Sequence, residues 1–462
     1  MPVKSSQNSL ESPGNPDRKK SVLPGYHCME PPMTRTFALA VFCQLALATS
    51  LTAATTTLTV KSSQQATSYP PVWIEKGAQI RLDVSGSWSM WHPNWAPVDW
   101  RGHTFFNPGS GQHLGRLMAS VEGGQPFPVT SGSVWTSTAS GYLVLYPHRA
   151  KYAHLATTGT LTVRVSGYTH KPLVLSSEAK RVLEQYRNVY LESTITSLGW
   201  TGSISGCNAG TLPRSVLDKV LARINYFRSL TGLPPVRFTS ERNTKAQHAA
   251  LIMLANKQLS HYPDANWRCF SQAGKEGAGS SNLGLTTLDR IITEFIEDPG
   301  SNNAPCGHRR WVLYSGASEF GFGAAHDKSH YTFAAEALHV SGNRQAISNL
   351  PEFIAWPPKG YIPDPLFFPR GSFSIPKPAS AVKLAGARVR MQGSDGSSIT
   401  VRLNPVSQYG DPGITWEILP ANENLEGFRL KWRNKPIHVF IDGITVDGAP
   451  KSWQYTTTML AP

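Results

Sequence analysis

Charge is sparse in this chain. Asp, Glu, Lys and Arg make up 16% of its 462 residues, and the acidic sign is the scarcer, 30 residues against 44 basic ones. So little charge excludes a chain held open by self-repulsion, while the net +14 leaves a surface that attracts acidic glycans, lipid headgroups or acidic envelope polymers. No zinc-finger spacing, RNA-binding aromatic signature or dense Lys/Arg helix gathers the basic residues, so no specific nucleic-acid footprint is expected. Neither GxSxG nor HExxH occurs. The five cysteines, at 28, 43, 207, 269 and 306, are too few for a disulfide-stapled mini-protein, so stability must rest on apolar cores.

The apolar run FALAVFCQLALA (Phe37 to Ala48) falls short of the ~20 residues that a membrane span needs. Arg35 precedes it, and small residues follow near Ala53 and Ala54. That order reads as a signal peptide at 33–54, giving a secreted or cell-surface/periplasmic protein with no stable transmembrane span after cleavage; an uncleaved signal anchor is the competing reading. The polar, Pro/Ser-rich residues 1–32 read as a disordered extension or as a gene-start artefact upstream of Met33. Cleavage would leave three cysteines, enough for one disulfide.

The rest has material for about three domains. Thirty-nine Gly, 35 Pro and 10% aromatics favour β-structure joined by ordered loops. In QIRLDVSG (79–86), YLVLY (142–146) and TLTVRVSG (160–167), apolar and polar residues alternate or form compact strands bounded by turns, which predicts an N-terminal antiparallel β-sandwich at 57–168. Trp88 to Trp100 places four indoles in thirteen residues, either as a floor for a sugar face or as a plug between sheets. Residues 169–211 form a linker and lead-in.

From 212 to 345 the period changes. Leu217, Val220, Leu221, Ile224 and Phe227 predict a helix that ends at Gly232 and Pro234. Asn243 to Lys257 predicts a second helix, ended by His261, and Thr286 to the EDPG at 297–300 a third, opened by a capping-box-like TTLD. YSGASEFGFGAA and YTFAAEALHV then read as strands. Helices followed by strands, without βαβ rhythm, predict an α-β-α sandwich. From 346 to 462, the Pro-rich WPPKGYIPDP reads as a rigid connection. ARVRM, SSITVRL, GITWEIL and PIHVFIDGI follow as strands of a C-terminal β-sandwich-like module.

Chemistry is carried by few residues. His261 and His308, separated by 46 residues, have Glu276, Glu294, Glu297 and Asp298 between them. Two imidazoles with one or two carboxylates suit a tetrahedral metal site with an open position; two hydrogen-bonded loop histidines would give the same pattern. Ser260, Ser280 and Ser281 are nucleophile candidates without a signature.

VLARINYFRSLTGLPPVRFTSERNTKAQHAALIMLANKQLSH (220–261) and CGHRRWVLYSGASEFGFGA (306–324) resemble the opening and closing halves of the CAP superfamily: cysteine-rich secretory, antigen 5 and pathogenesis-related proteins. The resemblance implies a central cleft with two histidines and two acidic residues, some members binding zinc or magnesium. It maps the histidines to His261 and His308, one acid to Glu297 or Asp298, and the other to Ser281, where Ser280–Leu283 stands for Gly-Glu-Asn-Leu. With one ligand lost, the resemblance implies a cleft in which Zn or Mg is an option and no cofactor is required. It sets Cys269 and Cys306 beside one site, favouring a disulfide between them with Cys207 free or paired elsewhere.

Residues 73–167 resemble the calcium-dependent galactophilic bacterial lectins. Pro147 and His148 stand in the place of one Asn-Asp ligand pair and Ala156 to Thr158 in the place of the other, so calcium is not expected. A ligand-binding rim would fall on His92, Trp95, Trp100, His103 or His148. AWPPKGYIP and ITWE resemble the β-module that follows the CAP-like domain in some large bacterial secreted proteins.

These readings favour a secreted binding or adhesion protein for a glycan, lipid or acidic envelope polymer, and leave enzymatic activity open. A metal-assisted hydrolase, peptidase or esterase, at His261/His308 and a non-catalytic scaffold are the alternatives.

Overall fold

The computed structural model describes residues 54–62, 72–89, 96–104, 112–121, 125–148, 158–168, 174–327, 334–342, 348–421 and 424–461. The expected leader up to residue 53 and the segment before it lie outside them.

The first region contains β1 (Ala54–Lys61), β2 (Trp73–Ile74), β3 (Gln79–Ser89), β4 (Leu117–Val121), β5 (Phe127–Pro128), β6 (Val134–Thr136), β7 (Gly141–Pro147) and β8 (Thr158–Tyr168). They pair antiparallel in two sheets, β1-β8-β3-β6 and β2-β7-β4-β5. Alternation decides what is inside: Ile80 and Leu82 on β3, Leu143 and Leu145 on β7, and Leu161, Val163 and Val165 on β8 fill one core. Trp88 joins them, fully buried, its indole N–H donating to the Gly115 carbonyl at 2.9 Å. Of the four clustered indoles, this one is a core plug.

The central region begins with α1 (Ser177–Gln185), which continues as a π-helical turn to Leu191. It is followed by α2 (Arg214–Leu230), β9 (Arg237–Phe238), α3 (Ser240–Asn256), α4 (Gln272–Gly279), β10 (Ser281–Thr286), α5 (Thr293–Glu297), α6 (Gly307–Val312), β11 (Glu319–His326) and β12 (Ala334–His339). The sheet order is β10-β12-β11-β9. Helix α3 lies tight on one face through Ala246, Ala249 and Ala250, and a Cβ on Gly323 of β11 would collide with the Gln247 backbone. From α2, the buried Arg228 guanidinium donates to the carbonyls of Pro234, Val312 and Tyr314, closing the loops around β11.

The expected third helix is broken. Chain through Thr286 belongs to β10, Leu288–Arg290 is a single 3-10 turn, and Ile292 takes φ +68° before the five-residue α5. Buried side chains take up the main-chain groups that a helix would pair internally. Arg223 donates to the carbonyls of Asp289 (2.7 Å) and Ile291 (3.2 Å), and Glu336 accepts the Ile292 N–H (3.1 Å). Burial pushes the Glu336 carboxyl well above its ordinary range, with Glu294 adding to the rise.

The C-terminal region holds β13 (Ile354–Trp356), β14 (Gly360–Pro363), β15 (Arg370–Ser374), β16 (Val382–Lys383), β17 (Arg388–Gly393), β18 (Ser398–Leu403), β19 (Gly413–Leu419), α7 (Leu425–Trp432), β20 (Pro436–Val446) and β21 (Ala449–Leu460). They form one nine-stranded sheet, β13-β15-β19-β18-β17-β20-β21-β14, with β16 on β20. Laid flat, a path of eight strands is ~34 Å wide at ~4.8 Å per step. Its first and last strands are joined only by residues 357–359, a reach of ~14 Å. The sheet therefore curls into a half-barrel around Phe373, Met391, Trp416, Val439 and Tyr455. The WPPKGYIPDP segment is the closure of that sheet, not a linker outside it. Central and C-terminal regions share one hydrophobic core, with Trp356 edge-on to Phe227 at 5.8 Å.

The cysteine pairing is a correction. Cys207 bonds Cys269, while Cys306 is free and fully buried. Cys306 opens α6, two residues after Ala304, whose carbonyl accepts from Asn404 and Thr415 of the C-terminal region, whereas the turn at Ser203–Asn208 reaches the loop after α3, where Arg268 donates to the Ile204 carbonyl. Non-reducing peptide mapping should recover the 207–269 link and find Cys306 alkylated only after denaturation. Replacing Cys207 and Cys269 by Ser should lower stability by ~2–4 kcal/mol, the usual worth of a disulfide.

A second expectation concerns acid. Burial beside Arg242 pulls the His339 imidazole down to about 4, and its Nδ1 accepts from the Arg242 guanidinium at 3.2 Å. The unfolded chain binds this proton near pH 6.5 and the folded chain only near 4. Stability from this group is therefore present above 6.5 and lost as pH falls toward 4. Urea titrations should show a shallower decline over that window in His339→Gln than in the parent.

Candidate functional site

Strand β10 is an edge of the central sheet, and a cavity of about 330 Å³ lies along it. Leu283, Gly284 and Leu285 of β10 line it, with Leu259, Ser260 and His261 from the loop after α3 and Glu294, Phe295, Pro299, Asn302, Asn303 and His308 from the segment that runs from α5 to α6.

Helix α3 ends at Asn256, where Lys257 turns left-handed at φ +50°. His261 therefore lies four residues past Lys257 in an exposed loop, outside the helix-terminal position expected for it. Its Nδ1 is 2.9 Å from the Ala278 carbonyl of α4, and a carbonyl only accepts, so Nδ1 carries a proton and Nε2 is the acceptor of the neutral ring. His308 is the second residue of α6, a helix absent from the sequence reading. Its Nδ1 donates to Asp298 Oδ1 at 2.8 Å and its backbone N–H to Asp298 Oδ2 at 3.0 Å. Both imidazoles are thus held through Nδ1, which turns Nε2 to the free side of each ring; in the neutral form that atom accepts from, or ligates, a guest. The Phe295 ring packs 5.3 Å from the His308 ring.

Asp298 is fully buried behind His308 at φ +56°. Arg370 of β15 donates to its carbonyl at 2.5 Å. Asn404 and Thr415 both donate to the Ala304 carbonyl at 3.0 Å, and Tyr409 stands against Gly307. The half-barrel thereby braces the loop that carries His308. Asn282 adds a bond from β10 to the His308 carbonyl at 3.0 Å.

Of the five expected cleft residues, His261 and His308 line the cavity and Asp298 orients one of them. Glu297 is paired with Arg290, and Ser281 is buried opposite His339; neither lines the cavity. Glu294 is the acidic residue that does, and its carboxylate has no hydrogen-bond or ion-pair partner among the described residues. It is one of the four carboxylates named between the two histidines in the sequence, though the family resemblance pointed to Glu297 or Asp298 instead. Among the described residues no group of three or more His, Cys, Asp or Glu is arranged to hold a metal ion. Zinc sites use three or four protein ligands, so the two imidazoles are a short donor set for one.

On the first region, His92 and Trp95 lie outside the described residues. His103 is a correction: it is 1% exposed, bonded through its backbone to Leu114, and burial lowers its pKa, so it belongs to the interior and not to a rim. His148 is half-buried and lowered in the same way, and Trp100 lies under the Arg101 guanidinium at 4.8 Å.

No curated protein matches the chain. Among solved structures, the EclA N-terminal domain, a PllA-like lectin, is 22% identical over 25% of this chain and 95% of its own, with a TM-score of 0.20. MpPR-1i, in a crystal soaked with selenourea, is 16% identical over 29% of this chain and 97% of its own, with a TM-score of 0.21. Residues 221–340 match the model of the cysteine-rich secretory protein family, CAP, and that match covers α3, β10–β12 and both histidines of the cleft: a CAP-superfamily domain lies between the β-sandwich and the half-barrel.

Proposed function

We propose that the chain is a secreted, non-catalytic binding protein whose CAP cleft holds its ligand between His261 and His308, with the β-sandwich as a second, glycan-binding module. The observation that carries the cleft reading is the pair of imidazoles locked through Nδ1. This geometry offers two ring nitrogens on an apolar lining, and Ser260, which lines the same cavity, has its Oγ accepting from the Tyr262 N–H at 3.0 Å instead of bonded to either ring. Secretion is supported by the leader-like segment and by the Cys207–Cys269 disulfide, a bond that persists in oxidising compartments. Among the described residues no helix is long and apolar enough to cross a membrane. The +14 charge would draw the protein toward an acidic glycan, lipid or envelope polymer.

Binding of the full secreted chain to glycan arrays, lipid vesicles and isolated envelope polymers tests the reading. His261→Ala and His308→Ala should each weaken cleft binding about tenfold or more. Asp298→Asn should do the same with His308 intact, because an amide can present N–H to Nδ1 and move the imidazole proton to Nε2. Wild-type binding with all three variants indifferent would overturn the cleft assignment, and ester or peptide turnover that dies with the histidines would overturn the non-catalytic one.

For the sandwich, Pro147 ends β7 with a side chain that offers no oxygen, which supports binding without calcium. Glycan affinity should be unchanged in EDTA and should fall in Trp100→Ala.

A further inference from the structure

The main chain of β10 carries information that its side chains do not. The β10–β12 register runs Ser281↔His339 to Thr286↔Ala334, and the Val340 N–H donates to the Ser280 carbonyl at 3.0 Å. In an antiparallel ladder the hydrogen-bonded pairs alternate. Even-numbered residues of β10 therefore bond to β12, while the N–H and C=O of Leu283 and Leu285 point away from the sheet. Both residues line the cavity, and neither main chain has a partner among the described residues beyond that ladder. Two successive open rungs are ~6.8 Å apart along a strand, the spacing of residues i and i+2 in an extended peptide.

Resting on the reading of the cleft as a ligand site, we propose that its ligand is a short extended peptide that adds to the β10 edge as a further strand and sets a Lys or Arg side chain against Glu294. A backbone is the ligand whose donors and acceptors alternate at the pitch of the open rungs. Glu294 supplies the charge complement: its carboxylate is half-buried, lines the same cavity and has no hydrogen-bond or ion-pair partner among the described residues, the nearby Arg290 guanidinium being bonded to Glu297. Leu259, Leu283, Leu285 and Phe295 give apolar walls for the flanking side chains, and the Nε2 atoms of His261 and His308 add acceptors at the two sides.

The test uses the full secreted chain and a positional-scanning library of short peptides blocked at both ends, read by calorimetry. A lysine peptide should bind, and its norleucine analogue should bind about tenfold more weakly, a difference that Glu294→Gln abolishes. N-methylation of alternate peptide nitrogens should cost about tenfold in one parity and little in the other. With leucine-selective 15N labelling, the Leu283 and Leu285 amides should gain protection from hydrogen exchange when peptide is added. Absence of binding below ~1 mM throughout the library, indifference to N-methylation at every position, or unprotected Leu283 and Leu285 amides would each overturn the proposal. A glycan or lipid that senses His261→Ala while no peptide binds would sink the peptide assignment and leave the cleft reading standing. If no ligand of any class senses either histidine, both fall.

Discussion

The cleft depends on one buried carboxylate. Asp298 receives the Nδ1–H of His308 and the backbone N–H that opens α6, so a single side chain fixes both the ring and the start of the helix that carries it. Leaving such a group unpaired in the interior costs several kcal/mol. The structure surrounds it accordingly: Arg309 presents its N–H at 3.4 Å and its guanidinium to the neighbouring Ile296 and Glu297 carbonyls, and Arg370 holds Asp298 from the half-barrel side. The His308 side of the cleft is built from two regions of the chain, and the β-module after the CAP domain is part of the site's scaffold.

The same economy of buried cations recurs through the central region. Arg223, Arg228 and Arg309 are each at most 1% exposed, and each donates to several main-chain carbonyls, Arg223 also to the Ser193 and Thr194 hydroxyls and Arg309 to that of Ser372. A planar fork with several donors suits this role, because it satisfies non-repetitive backbone that no ladder or helix can satisfy. Around the cleft, irregular chain is held in place by arginine rather than by regular secondary structure.

That division explains what the sequence disclosed. Strands announced themselves through alternation, as at Ile80, Leu82 and Val84 or Leu161, Val163 and Val165, because one face of each is committed to a core. The helical spacing from Leu217 to Phe227 and the small residues of α3 were equally plain. The break between Thr286 and Thr293 was not, since Leu288, Ile291, Ile292, Phe295 and Ile296 keep helical spacing while Arg223 and Glu336, distant in sequence, decide the backbone. Helix α4, QAGKEGAG, has a composition unfavourable to helices and exists because Gly277 lets it press on Lys245 of α3. His261 and His308 were legible from their motifs. The partners that fix them, Ala278 through its carbonyl and Asp298 through its carboxylate, depend on tertiary approach, as does the Cys207–Cys269 bond.

The closure of the half-barrel has a mechanical consequence. Residues 357–359 tie the two outermost strands of the C-terminal sheet together, and Trp356, immediately before that tie, is buried against both Phe227 of α2 and Phe368. Any splaying of the sheet would have to drag this indole out of the packing it shares with the CAP domain. The brace behind His308 is therefore a stiff collar, whereas His261 sits with Leu259 and Tyr262 on an exposed loop.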